Sequence, residues 1–447
     1  MTRTLQSTIL FAVRLTVIAA VLAAMLRGSA AQAQALPAAE ASPVSTGFTL
    51  PNAGGSLNWA VSASESLAWG YYGSSGNATG TNLSGDVAYL SRSKYHPFSM
   101  VLNAGRSWGT SGLPSYLFVG LGLSQGFNVG KWNFVLSDNV SYTPSTPLVG
   151  LSGIPGLGDL GVSPVQVGPD SGQGVLSNYS PEVNNIGSGS VQRQITGKTS
   201  LNASGSYIIL RFVKGVDTAG QYGLDSDGIT GSAGFTHRVD ERTTFGGNYA
   251  YSSYIYKNNL SSGIPEPNFV SQVASFTYSH HLSRKFDLNL AAGPEWTQIN
   301  FAQNSVSLSA YVDASLGYAG HTGHWNLSYI RSTNNGYGVT GGALADQAGF
   351  YAGRAYGRVW NLSTGITATR TTGLPTPGAT PYDFKTAIAS FQASRALARN
   401  LSGFVSYTFE AQTHASSTST IDLFDGTSQI LSFGVTYSPA ARQFGRP

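Results

Sequence analysis

The chain has 447 residues, of which 41% are hydrophobic and only 10% charged; the deficit is filled by 55 Gly, by Ser, Thr and Asn, and by 23 Tyr, 21 Phe and 7 Trp. An average soluble domain carries about 25% charged residues, so this composition excludes coiled coils and Ala/Glu/Lys/Leu-rich helical proteins, and its aromatic content argues against a disordered chain. No cysteine is present, hence no disulfide framework, thiol nucleophile or thiolate metal site; with Arg3, Arg14 and Arg27 set aside, basic and acidic residues nearly balance, and no basic run offers itself to nucleic acid.

Residues 1–35 read as a secretory signal peptide. Arg3 and Arg14 supply the positive start, Leu15 to Leu26 is apolar except for Thr16, and Ala31-Gln32-Ala33 and Ala33-Gln34-Ala35 offer small-x-small cleavage sites. The apolar run is too short to span a bilayer core of about 30 Å as a helix. Residues 36–54 form a short N-terminal segment on the periplasmic side.

From Leu57 onward the dominant period is two. Val306, Leu308, Ala310, Val312, Ala314, Leu316 and Tyr318 form one face of a strand, and Ser305, Ser307, Ser309, Tyr311, Asp313, Ser315 and Gly317 the other. One face suits lipid and the other water. Phe286, Leu288 and Leu290 oppose Asp287 and Asn289; Leu401, Val405, Tyr407 and Phe409 alternate with Ser402, Ser406, Thr408 and Glu410, with Phe404 as the exception; Leu431, Phe433, Val435 and Tyr437 alternate with Ser432, Gly434 and Thr436. Repeated alternation is a strong signal. It predicts about 18 strands, beginning near Leu57, Thr81, Pro97, Ser115, Lys131, Gly189, Thr199, Gly228, Thr243, Asn268, Lys285, Asn304, Gly323, Ala345, Val359, Asp383, Asn400 and Thr427, with 16 as the alternative. Every second connection is short, as in Val129-Gly130-Lys131 and Asp240-Glu241-Arg242. The others are mostly long and rich in Gly, Pro, Ser and Asn, and Thr143–Ser188 is by far the longest. The tryptophans fall near strand ends, where amphipathic rings form the interfacial girdles of a barrel; a soluble core with the aromatic face inside is the competing reading.

With its signal peptide, dyad alternation, segregated loop lengths and an aromatic last strand ending at Tyr437, the chain resembles the porin-like outer-membrane β-barrels of Gram-negative bacteria over residues 55–438. The resemblance implies an all-β, closed antiparallel transmembrane barrel with a C-terminal tail over 439–447. It also implies outer-membrane lipid and lipopolysaccharide and the barrel assembly machinery as partners, and allows a homo-oligomer. In porins a third external loop commonly folds into the lumen, and loop 143–188, with Asp159, Asp170 and Glu182 as its only charges, stands in the matching place. Two features depart from the family pattern: residues follow the last strand where many such proteins end on Phe, and no basic cluster faces the loop's acids.

Catalytic and metal motifs fare poorly. Gly122-Leu123-Ser124-Gln125-Gly126 matches the nucleophile-elbow spacing but lies within a predicted strand, with no helix after it. His321-x-x-His324 spans a turn without a neighbouring carboxylate. Asp225-Ser226-Asp227-Gly228 holds Thr230 and Thr236 where a calcium loop needs Gly and Glu. Gly120-Leu121-Gly122 has no helix start for a phosphate. The expected function is therefore an outer-membrane channel for passive diffusion of small hydrophilic solutes, with no enzyme activity, cofactor, metal or nucleic-acid partner. The alternative is a structural or adhesive barrel with a closed lumen and partner-binding loops. By parity, the pore-lining candidates are Asp86, Asn103, Asn133, Asn139, Arg238, Asp287, Asn289, Glu295, Tyr311, Asp313 and Glu410.

Overall fold

The computed structural model describes residues 55–70, 77–91, 93, 95–110, 115–143, 182–213, 224–257, 268–300, 305–336, 341–357, 359–374, 382–415, 425–440 and 442–444. The readings of a signal peptide, of the segment 36–54 and of Asp159 and Asp170 lie outside them.

Eighteen long antiparallel strands follow one another around a single sheet: β1 (Gly55–Trp69), β2 (Ala78–Ser91), β3 (Phe98–Gly109), β4 (Tyr116–Val129), β5 (Trp132–Thr143), β6 (Glu182–Gln194), β7 (Thr199–Phe212), β8 (Asp225–Arg238), β9 (Thr243–Lys257), β10 (Asn268–Ser283), β11 (Phe286–Asn300), β12 (Ser305–Ala319), β13 (Gly323–Asn334), β14 (Ala343–Tyr356), β15 (Trp360–Gly373), β16 (Asp383–Ala398), β17 (Leu401–Ala415) and β18 (Gly426–Tyr437). Each pairs with its sequence neighbour, and β1 pairs with β18 from Val61↔Tyr437 to Trp69↔Gln429, closing the barrel. Closure is the only way a sheet leaves no backbone edge unsatisfied in hydrocarbon. Inside the seam, Ser62 Oγ and Thr436 Oγ1 lie 2.8 Å apart, and Ser66 Oγ and Ser432 Oγ 2.9 Å.

Two boundaries differ from the sequence reading. β6 begins at Glu182, so Glu182 is not in the long connection but pairs with Thr143 and Phe212. The stretch Glu182–Ser190 is polar on both faces and rich in Gly, and so lacks the alternation that marks its neighbours. The C-terminal tail carries a short strand, β19 (Arg442–Phe444), which pairs with Gly55–Leu57 and prolongs the seam; three residues are too few to show a period.

The faces are set by exposure. On β12, Val306 is 68% and Leu308 69% exposed; on β10, Phe276 is 59% exposed, whereas Phe269 and Ser271, of opposite parity, are buried. The exposed face therefore carries the large apolar side chains and is the outer one. Aromatic rings tie it together near the short turns: Phe286, Tyr318, Trp325 and Phe350 run across β11–β14 with successive centroids 5.0, 6.0 and 6.5 Å apart. The exception Phe404 is resolved by its partner. Its ring lies inside over Gly434, where any Cβ would collide with it, and Phe404 is only 1% exposed.

The short turns are built by their own side chains. Asp240 Oδ1 accepts hydrogen bonds from the N–H groups of Arg242 and Thr243, both at 2.7 Å; Thr196 Oγ1 does the same for Lys198 and Thr199. Gly130 and Gly357 supply positive φ, 59° and 63°, in two further turns. The N–H of Arg242, then that of Thr243, holds the Asp240 carboxyl below its ordinary value of 3.8. A depressed carboxylate contributes stability above its unfolded value and loses it as pH falls through the folded one. Asp240→Ala should therefore lower the melting temperature of the folded barrel in detergent at pH 7, with the gap to wild type closing at pH values well below 3.8. Asp240→Asn, which keeps an acceptor oxygen, should lose much less at pH 7.

Candidate functional site

The inner wall is the surface left for solute chemistry. All eleven residues singled out from the sequence occupy inner-face register positions. The structure groups some of them. Asp86 and Asn103 are cross-strand partners on β2 and β3. Gly120 and Gly122 clear the space taken by the amides of Asn103 and Asn139, since a Cβ at either glycine would fall within 3 Å of an amide oxygen; that is the role of the Gly-Leu-Gly segment. Glu295, Tyr311 and Asp313 share the wall of β11 and β12. Asn133 Nδ2 donates to Asn128 Oδ1 at 2.7 Å. Asn289 accepts from Ser279 Oγ, and Asp287 pairs with His281 Nδ1 at the short-turn rim. Arg238 stands at the same rim, donating to the Gly197 carbonyl at 3.1 Å. Glu410 is isolated from the others on β17, buried opposite Ser428.

Two arcs of wall differ in access. On β6 and β7, Ser190, Gln192, Asn202 and Ser204 are exposed, and hydroxyl pairs such as Ser204–Ser232 (2.8 Å) and Ser206–Thr230 (2.6 Å) line the way. On β15–β18 and β1, the inner residues Thr367, Thr371, Glu410, Gln412, Thr436, Ser62 and Ser64 are buried. Toward the long-loop end, Leu224, Tyr254, Tyr256, Phe269 and Ile299 pack as an apolar cluster with Leu374. Tyr256 Oη donates across the interior to the Asn335 carbonyl at 2.9 Å.

Charge is partitioned between the faces. Among the described residues of β1–β18, the inner face carries the acids Asp86, Glu182, Asp287, Glu295, Asp313 and Glu410 against the base Arg238, with His281 beside Asp287. The outer face carries the bases Arg106, Arg193, Arg211, Lys257, Arg331, Arg354, Arg370, Lys385 and Arg395 and the acids Glu65, Asp138, Asp225, Asp227, Asp346 and Asp383. Outer acids pair with several of these bases: Asp346 with Arg331 at 2.9 Å and Asp383 with Arg370 at 3.0 Å. Arg193 and Arg395 stack over Trp132 and Trp360. The outward bases are legible in the sequence only where they share parity with large apolar residues, as Arg370 does with Ile366 and Lys385 with Phe391.

Glu295 differs from the other inner acids in being fully engaged. It is 1% exposed and accepts from Ser271 Oγ (2.7 Å), Ser309 Oγ (3.2 Å) and the Thr333 N–H (3.1 Å). This ties β10, β11, β12 and the end of β13 together where β12–β13 pairing has already stopped at Val312↔Arg331. Removing the carboxylate leaves the Thr333 N–H and the Ser271 and Ser309 hydroxyls without this acceptor, and a buried group left unsatisfied costs about 1–3 kcal/mol. Glu295→Ala should lower the unfolding free energy by at least that order, whereas Asp313→Asn, half-buried and without such bonds, should change it by less than about 1 kcal/mol; denaturant unfolding of both variants reads the difference.

No family model matches the sequence, and neither does any curated protein. Among solved structures, the barrel is similar to the outer-membrane protein OpdK of Pseudomonas aeruginosa, crystallised with vanillate, at 10% identity and a TM-score of 0.42, covering 87% of this chain and 99% of that one. It is likewise similar to OccK2 (OpdF) of the same organism, at 11% identity and 0.42, covering 86% and 97%, and to the siderophore receptor PiuA of Acinetobacter baumannii, at 10% and 0.39, covering 87% and 82%. At these values the likenesses carry no argument about the site, and the barrel stands on its own strand pairing.

Proposed function

We propose that the protein is a channel of the Gram-negative outer membrane for passive diffusion of small hydrophilic solutes, with a weak preference for cations. The observation that carries the reading is the inner wall itself, six acids against one base among the described strands, beside an exposed hydroxyl- and amide-rich arc along β6 and β7. Outward apolar side chains match the band a barrel presents to hydrocarbon. Barrels of 16–18 strands leave an aqueous lumen, and fixed acids in it favour cations by weak electrostatic bias. The long connection 144–181, with Asp159 and Asp170, narrows that lumen in this reading and adds to its negative field.

A closed structural barrel is the second reading, favoured by the buried arc and by the apolar cluster around Phe269. Planar-bilayer recording of the folded barrel separates the two. The channel reading expects discrete conductance steps and a reversal potential of cation-selective sign in a KCl gradient, shifted toward zero by Asp313→Asn. A folded barrel that never conducts supports the closed structure instead. Deleting residues 152–178 should raise single-channel conductance; unchanged conductance in an assembled variant would remove the loop from the pore.

A further inference from the structure

On the outer face of β14–β17 the large side chains give way to a row of four alanines in direct cross-strand register, Ala348↔Ala368↔Ala387↔Ala411. They floor a groove of 420 Å³. The row below restores bulk on three of the four strands, with Phe350, Ile366 and Phe409, and continues the groove at Ala389 on β16. The row above is charged: Asp346↔Arg370↔Lys385↔Thr413. Arg370 and Lys385 are thus directly opposed cations, of which Arg370 is already offset by the Asp383 carboxylate at 3.0 Å. Asp346 is engaged by Arg331 and by the Tyr329 hydroxyl, and Asp383 by Nε and Nη2 of Arg370. Lys385 is exposed and has no ion-pair partner among the described residues.

Height supports the match. Arg370 stands ten positions beyond Trp360 on β15, and Lys385 ten before Arg395 on β16, where Arg395 stacks on Trp360 at the short-turn girdle. At about 3.3 Å per residue and a tilt near 40°, that separation is about 25 Å, the height of the apolar band of such barrels. The alanine groove therefore opens to acyl chains just beneath the long-loop interface, and the two cations sit at headgroup level. The other outer basic cluster, Arg211 and Lys257 on Asp227, has exposed bulky Tyr207, Ile229 and Ile255 beside it in place of alanines.

We infer that this groove holds one phosphorylated glycolipid of the outer leaflet, an acyl chain lying across the four alanines and a phosphate set between Arg370 and Lys385. The inference rests on the outer-membrane location proposed above, with the long connections facing outside, and on nothing about the lumen. The test uses the folded barrel purified in mild detergent and returned to nanodiscs of phosphatidylethanolamine doped with either rough lipopolysaccharide or phosphatidylglycerol. Retained lipid is measured by native mass spectrometry and conductance in parallel. Wild type should retain lipopolysaccharide at least fivefold better than Lys385→Gln, Arg370→Gln/Lys385→Gln or the groove-filling Ala368→Trp, with conductance unchanged in all three. Equal retention by wild type and Lys385→Gln would overturn the site. Equal retention of phosphatidylglycerol and lipopolysaccharide by wild type would overturn the assignment to a glycolipid. A wild-type dimer that Ala368→Trp converts to monomer would make the groove a contact between copies of this chain and overturn lipid as its occupant. A barrel that retains lipopolysaccharide but conducts nothing would support this site while removing the channel reading.

Discussion

Every other feature of this molecule follows from closure of the sheet. A strand leaves a row of N–H and C=O groups on each side, and within hydrocarbon each unsatisfied group costs several kcal/mol. The pairing of β1 with β18, extended by β19 against Gly55–Leu57, removes the last free edge. The inner side of that seam is made of small residues, Ala60, Ser62, Ser64, Ser66 and Ala68, and two of the serines exchange hydroxyl hydrogen bonds with β18. Once the sheet is closed, the pleat has no freedom left. Odd and even residues of each strand belong to different environments, and a slip of one residue would exchange them.

That constraint explains what the sequence made legible. Wherever the two environments differ strongly, the alternation is sharp, as on β12 and β18, and strand position could be read within a few residues. Where a strand is polar on both faces, as over Glu182–Ser190, the signal vanishes and Glu182 reads as part of the long connection. Short Arg442–Phe444 offers too little chain for any period. Parity placed candidate residues on a face, since a face is a property of sequence position. It said nothing of the hydrogen bonds that engage Glu295, of the glycines that make room for Asn103 and Asn139, or of burial along β15–β18, because these depend on which strand lies opposite and at what height. Phe404 broke the alternation for such a reason: its ring needs Gly434 on the adjoining strand.

The distribution of charge extends the same logic beyond the backbone. Of the inner acids, Asp86, Glu295 and Glu410 are buried in the wall and Asp287 is exposed at the short-turn rim; bases facing out are tolerated near the interfaces, where they stack on tryptophan or meet anionic headgroups. Arg193 over Trp132 and Arg395 over Trp360 follow the first pattern near the short turns. The row formed by Arg370 and Lys385 follows the second at the opposite end. A near-neutral chain can in this way present two surfaces of opposite sign, a property invisible in its net charge.

The central claim is that the apolar parity of each strand faces lipid and the polar parity faces water. The chain has no cysteine, so single cysteines at successive positions of β12, from 306 to 318, can each be spin-labelled in the barrel reconstituted in lipid. Their accessibility to dissolved oxygen and to a water-soluble nickel chelate then reads the environment directly. The account predicts a strict two-residue alternation, with 306, 308, 310, 312, 314 and 316 accessible to oxygen, and 307, 309, 311, 313 and 315 to the chelate. An alternation of opposite phase, or none, would contradict it.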